Sequence, residues 1–269
     1  MKLGVLSKIG QQDYKLLKFN IMKLFKMMLF IIALSITGNT FAKTHFIVDM
    51  IKLKQKTDIT TYIDRLEEIA KFHHGVLSVN PIVINGQIET EVTPEYTTAF
   101  NYDYILIIRF ENRKNAKNYS KDTRTLDNFT HLSARITKQS VFLSKNMMAL
   151  PGMPDFPEIN NELIRPAPSF ILVNAIKMKK TPGSIMKMMK YFKRNYPAIT
   201  ASGTSYFSTL KVAKVLKGDF DFQMLFLTEW ASMDAFQELH RSPSFKENVH
   251  LRNTSFTGFT EGKGVITTK

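Results

Sequence analysis

The chain carries one pattern twice. Phe46-Ile-Val-Asp-Met-Ile-Lys-Leu-Lys54 aligns with Ile171-Leu-Val-Asn-Ala-Ile-Lys-Met-Lys179, and Tyr104-Ile-Leu-Ile-Ile-Arg-Phe110 aligns with Met224-Leu-Phe-Leu-Thr-Glu-Trp230. Later still, Thr130-His-Leu132 pairs with Val249-His-Leu251. The offsets are 125, 120 and 119, so order is kept while loops change length. A repeat of this size means two like units in one chain, each free to bury its apolar face against the other.

Each copy has the same coarse plan. The opening segment is β-branched and apolar, which predicts a strand. A helix follows over 59–72 in the first copy, with Asp58 as N-cap, and over 184–196 in the second. Ile59, Tyr62, Ile63, Leu66, Ile69 and Ala70 mark one face of the first helix; Ile185, Met186, Met188, Met189 and Phe192 mark a face of the second. Strands are then predicted around 76–84 and 205–216, followed by the aligned strand, a second helix and a last strand (135–143; 255–266). This βαββαβ order is ferredoxin-like, an antiparallel sheet with both helices on one face. The expected fold is therefore α+β, with two tandem ferredoxin-like units pairing their sheets into an intramolecular pseudo-dimeric α/β barrel.

The flanking segments set the domain limits. Lys23 and Lys26 precede the apolar run 27–36, and Thr40 and Ala42 sit three and one before a cut. That is the order of a secretory signal peptide. The run is also shorter than the roughly 20 residues of a permanent membrane helix. We therefore expect 1–42 to be a signal peptide with an upstream extension, since Met22 also begins a conventional leader. The product would be periplasmic or secreted, with no stable membrane anchor after cleavage. The first unit is 43–146 and the second 169–269. Between them, 147–168 holds five of the ten prolines and reads as an extended tether. Residues 85–98 form a second irregular stretch, where a lid or an elongated hairpin could sit.

Charge and composition exclude several classes. Six lysines and one aspartate fall within 1–42, so the remainder carries +9 of the full chain's +14. The excess is spread over Lys52, Lys54 and Lys56, then Lys177, Lys179 and Lys180, then Lys187, Lys190 and Lys193. Nucleic-acid binders concentrate charge on one face, so no nucleic acid is expected as a partner. With no cysteine, disulfides, thiolate catalysis and Cys-based metal sites are ruled out. No metal or cofactor is expected. His73-His74 reads as a helix-end turn favoured by the dipole rather than as a ligand pair.

Leu227-Thr-Glu-Trp-Ala-Ser-Met-Asp-Ala-Phe-Gln-Glu-Leu-His-Arg-Ser-Pro-Ser-Phe245 reads as a strand running into a short amphipathic helix and a Ser-Pro break. It resembles the corresponding stretch of antibiotic-biosynthesis-monooxygenase-like domains, members of the dimeric α/β-barrel superfamily. That superfamily mixes cofactor-free monooxygenases, haem-degrading enzymes, stress proteins and members of no known activity. In its haem-degrading members an Asn on the first strand lies over the ligand with a Trp and a His from the second helix. Asn174 matches that Asn. The Trp position is Leu239 here and the His position is Val249, with His250 beside it, so haem degradation is disfavoured.

Candidate site residues follow. Asn174, an amide on the face of Phe170, Leu172 and Ile176, is a ligand-binding candidate, as are Trp230 and His240. His240 and His250 are the candidates for a catalytic base facing the barrel cavity. The bland readings are a helix-end cap for His240 and a structural place for His131 and His250, which recur in both halves. Asp49, the partner of Asn174, is either a carboxylate in the first cavity or a strand-end charge. The second copy keeps the resembled stretch, so a working pocket is expected there. The function expected is an exported barrel binding a small hydrophobic or aromatic ligand. The alternative is a cofactor-independent monooxygenase acting on an aromatic or quinol-like substrate. A homodimer of such chains stays open.

Overall fold

A computed structural model describes residues 44–55, 57–77, 81–88, 94, 96–146, 169–181, 183–204 and 206–267. The expected leader and the proline-rich tether lie outside the described residues.

The first half runs β1 (His45–Leu53), α1 (Thr60–Phe72), β2 (Gly75–Leu77), β3 (Ile82–Gly86), β4 (Thr97–Ala99), β5 (Tyr104–Phe110), α2 (Arg113–Tyr119), α3 (Thr123–Ser133) and β6 (Ile136–Asn146). The second runs β7 (Phe170–Met178), α4 (Ser184–Ala201), β8 (Tyr206–Lys217), β9 (Met224–Trp230), α5 (Met233–Arg241), α6 (Pro243–Asn253) and β10 (Phe256–Ile266). Eight strands close into an antiparallel barrel in the order β1-β6-β8-β9-β7-β10-β3-β5, with β5 returning to β1. Two seams join the halves: β6 with β8, and β10 with β3, the second extended by a short parallel pairing of β10 with β4. Closure leaves none of these eight strands with a free edge, which an isolated ferredoxin-like sheet would have. The expected α/β barrel is therefore the fold.

Strand alternation divides the side chains between two layers. Val48 and Met50 of β1, Val173 and Ala175 of β7, and Leu225 and Leu227 of β9 point into the barrel. Phe142 stacks on Phe220 there at 4.4 Å between ring centroids. Eight strands enclose a space about wide enough for side chains to fill, and here they fill it. The expectation of His240 facing a cavity inside the barrel is corrected accordingly. The opposite strand faces pack under the helices, in one layer over each half.

The helices largely follow their sequences. In α1, Tyr62, Ile63, Leu66, Ile69 and Ala70 are buried, as the 3.6-residue spacing predicts. Asp58 Oδ1 accepts from the Thr60 N–H and hydroxyl, although Ile59 holds the cap position itself. In α4 the buried stripe is Ser184, Met188, Tyr191, Phe192 and Asn195, while Ile185 and Met186 stand outward at 60% and 66% exposure. Two polar residues within the stripe hide its phase from an apolar count. α4 also continues through Pro197 to Ala201, where the sequence predicted an end. A proline there removes one N–H to the carbonyl of the exposed Lys193, and a carbonyl near solvent tolerates that loss. The second helical segment of each half is a broken pair. Ser242 accepts from the Phe245 N–H and Pro243 opens α6, an arrangement suited to a helix start.

Candidate functional site

Asp49 lies mid-strand on β1, on the face of Ile47 and Ile51, and is 1% exposed. A carboxylate buried so deeply needs donors, and two elements bring them. The Tyr62 hydroxyl, from the first turn of α1, donates to Asp49 Oδ2. Gln139 Nε2, from β6, lies 3.0 Å from each Asp49 oxygen and 3.1 Å from the Tyr62 hydroxyl. Asn128 of α3 fixes α1 from the other side by donating to the Tyr62 carbonyl at 3.2 Å. Asp49 is therefore not a strand-end charge; it is the centre of a buried polar cluster.

Burial raises the Asp49 carboxyl from an ordinary 3.8 to about 6, against the pull of Tyr62, Gln139 and the Lys217 charge. Burial and the nearby carboxylate hold the Tyr62 phenol well above its ordinary range, and Tyr119 likewise. Both tyrosines thus stay protonated near neutral pH while Asp49 can exchange its proton. A group poised in that way is suited to acid–base work.

A cavity of about 230 Å³ opens between α2–α3 and the sheet, and Asp49, Tyr62 and Gln139 are not among its lining residues. Ile47, Tyr119, Leu126, Phe129, Val141 and Leu216 give it apolar walls, and Lys217, Ser120 and Thr130 supply polar groups. Lys217 comes from the second half, at the end of β8. Its ammonium donates to the Phe129 carbonyl at 3.3 Å and lies 5.3 Å from the Phe129 ring centroid. Partial burial lowers its pKa, and the Asp49 charge pulls it back up. Neither half builds this site alone.

The second half presents a different layer. Asn174 sits under the helices as its alternation predicts, and its Oδ1 is buried without a donor. Its cross-strand neighbour is Glu261, whose carboxyl burial pushes up to about 7 against the Arg252 charge. Arg252 spans the rings of Phe245, Phe259 and Tyr191 at 5.5, 5.7 and 6.0 Å. Trp230 is buried, donates to Thr228 Oγ1 at 2.8 Å, and meets Phe236 edge-on at 5.0 Å. His240 lies between Phe236 and Phe245, at 4.1 and 4.3 Å between ring centroids. Its Nδ1 is 2.8 Å from the Phe236 carbonyl, and burial lowers its pKa to about 4.

Trp230 and His240 therefore share one aromatic stack, but Asn174 is not part of it. Trp230 is level with Phe170 and Asn174 with Phe226, four residues or roughly 13 Å further along the sheet. His250 is exposed near the end of α6, and His131 is exposed near the end of α3. Leu239 and Val249 pack into the apolar layer. Two described residues of the stretch 85–98 reach this half: Ile88 is buried against it, and the Tyr96 hydroxyl donates to the Asn253 carbonyl at 2.6 Å. His73 caps α1 and pairs with Asp122 at 2.7 Å, while His74 takes a left-handed φ of 55°.

Sequence reasoning missed Tyr62, Gln139, Lys217 and Glu261 as site residues. Tyr62 counted as part of an apolar face, and the others lay in strands whose register only pairing defines. The one available signal was Gln139, an amide in an alternating strand on the side of apolar neighbours.

Three comparisons place these findings. Residues 177–259 match the family model "Domain of unknown function (DUF1330)", and the match lies within the second half. No curated protein matches the chain. Among solved structures, a "putative monooxygenase" from Fusobacterium nucleatum subsp. nucleatum is similar at 9% identity and a TM-score of 0.53, covering 85% of this chain and 94% of that one. An "anthrone oxidase-like protein" is similar at 10% identity and a TM-score of 0.52, covering 84% and 92%. Likeness at such identities establishes the shared α/β-barrel fold.

Proposed function

We propose that the protein is a small-ligand-binding α/β barrel whose ligand sits between α2–α3 and the sheet of the first half. The observation that carries this reading is an apolar cavity bearing the Lys217 ammonium, with the buried Asp49–Tyr62–Gln139 cluster one strand over from its Val141 wall. Closed cavities of about 150 Å³ already admit benzene, so 230 Å³ suits one small substituted ring. Asp49 lies one strand over from Val141 of the lining, a buried carboxyl that gains or loses a proton near pH 6 and whose charge acts on Lys217 and Tyr119. The reactive alternative is oxygenation without a cofactor, in which a hydroxyaromatic substrate, held as its phenolate against the Lys217 ammonium with its proton released to water, supplies electrons to oxygen. The descriptions of the two structural neighbours favour looking for that reaction.

A second reading keeps the ligand in the second half, over Asn174, with Trp230, His240 and His250 as the further candidates. The orphaned Asn174 Oδ1 beside Glu261 favours it, because a ligand hydroxyl would satisfy that acceptor. The test adds hydroquinones and haem separately to the protein and follows absorbance and oxygen uptake. Leu126→Trp, which fills the first-half cavity from its exposed wall, and Asn174→Ala then assign the half. Loss of binding or turnover in Leu126→Trp alone supports the first-half site; loss in Asn174→Ala alone moves the ligand to the second. Absence of binding in the parent protein removes both readings. We further propose export with cleavage near Lys43, which N-terminal sequencing of the cell-envelope fraction decides.

A further inference from the structure

Val141 on β6 and Lys217 on β8 are opposite each other and both line the cavity. Asp49 on β1 is opposite Val141 on its other side, buried outside the lining. Adjacent strands lie about 4.8 Å apart, so the outer two backbones are separated by roughly 10 Å.

Lys217 reaches this lining through a local irregularity. On β8, Val215 pairs with Phe142 and Lys217 with Val141, leaving Leu216 as an extra residue. Val215 packs on the barrel interior, so strict alternation would point Lys217 inward too. The bulge turns both Leu216 and Lys217 toward the cavity, which is how bulges re-aim side chains. Gly218 then ends the strand at a φ of 74°, where a Cβ would collide with the Gln139 carbonyl oxygen. β8 is thereby clamped against the same residue that holds Asp49. Among the described residues no carboxylate lies within ion-pair distance of Lys217; its partners are one long bond to a carbonyl and a ring face.

We propose that Lys217 is the anchor for an acidic oxygen, so that the ligand class is a small aromatic acid whose ring lies on Val141. The ring meets Ile47, Phe129 and Leu216, and its carboxylate or phenolate displaces the weak Phe129 contact of the ammonium. A charge-assisted hydrogen bond in a partly desolvated site is stronger than the contact it replaces. This assignment rests on the first-half reading given above.

The experiment titrates benzoate and the uncharged benzamide into the full chain, the Lys217→Met variant and the Lys217→Arg variant, following ring-proton and protein signals by NMR. Thermal melting checks that each variant is folded. The parent should prefer benzoate by at least about tenfold. Lys217→Met should lose that preference while still binding benzamide, and Lys217→Arg should keep part of it. Equal binding of both probes to the parent, or an unchanged preference in Lys217→Met, overturns the anchor and leaves the cavity reading standing. Failure of both probes to bind the parent overturns the cavity reading together with the anchor.

Discussion

Asp49 is held where a neutral residue would cost less. Its pKa is raised in the native state, so its contribution to stability is full below about 3.8 and is lost as pH rises through about 6. A shift of about two units in a fully buried group corresponds to roughly 3 kcal/mol at neutral pH. Asn in its place keeps an acceptor for Tyr62, and the unpaired Gln139 Oε1 can accept from the new amide. We expect Asp49→Asn to raise stability at pH 8 by about 1–3 kcal/mol and to flatten the slope between pH 4 and 6. Denaturant melts across that range check it; an unchanged slope would mean that Asp49 does not titrate there. His240 acts with the opposite sign. Its pKa is depressed, so its contribution is present above 6.5 and is lost as pH falls through about 4. His240→Phe should therefore weaken the acid limb of the stability curve. An acid limb as steep as in the parent would show that other groups produce it.

At the scale of elements, small irregularities decide where side chains point. The β8 bulge and the tight turn at Gly218 together deliver Lys217 to the first half. Gly218→Ala places a Cβ at positive φ against a carbonyl, and we expect a loss of about 1–3 kcal/mol with weakened ligand binding. A variant as stable as the parent would mean that the strand end relaxes freely. The phase of α4 gives a second check. Met188 is 1% exposed and Ile185 is 60% exposed. Met188→Ala should cost about 2–5 kcal/mol, while Ile185→Ser should stay within about 0.5 kcal/mol. Reversed costs in equilibrium melts would reject the observed stripe.

For the whole molecule, closure is what the doubled sequence achieves. Each half alone would leave unpaired the strands that form the β6–β8 and β10–β3 seams, with apolar inner faces uncovered. We expect residues 43–146 produced alone to self-associate or aggregate, and to recover a barrel-like melt only when mixed with residues 169–269. Size-exclusion chromatography decides between this and a stable monomeric half.

The repeat, the strand alternation of β1 and β7 and the buried face of α1 were legible in the sequence because each rests on local periodicity. Asn174 could be assigned its face for the same reason. The apolar inward run of α4 was not legible, since Ser184 and Asn195 lie within its buried stripe. The site was legible only as single residues. Asp49 could be singled out, but Gln139 lies 90 residues away, and Lys217 joins it only through pairing between the two halves. The barrel's inside was expected to hold the cavity, yet eight strands close tightly enough for side chains to fill it. Spacing along the chain fixes which face a residue takes on its own strand. Which residues meet across strands depends on register, bulges and closure, and those arise only when the whole sheet forms.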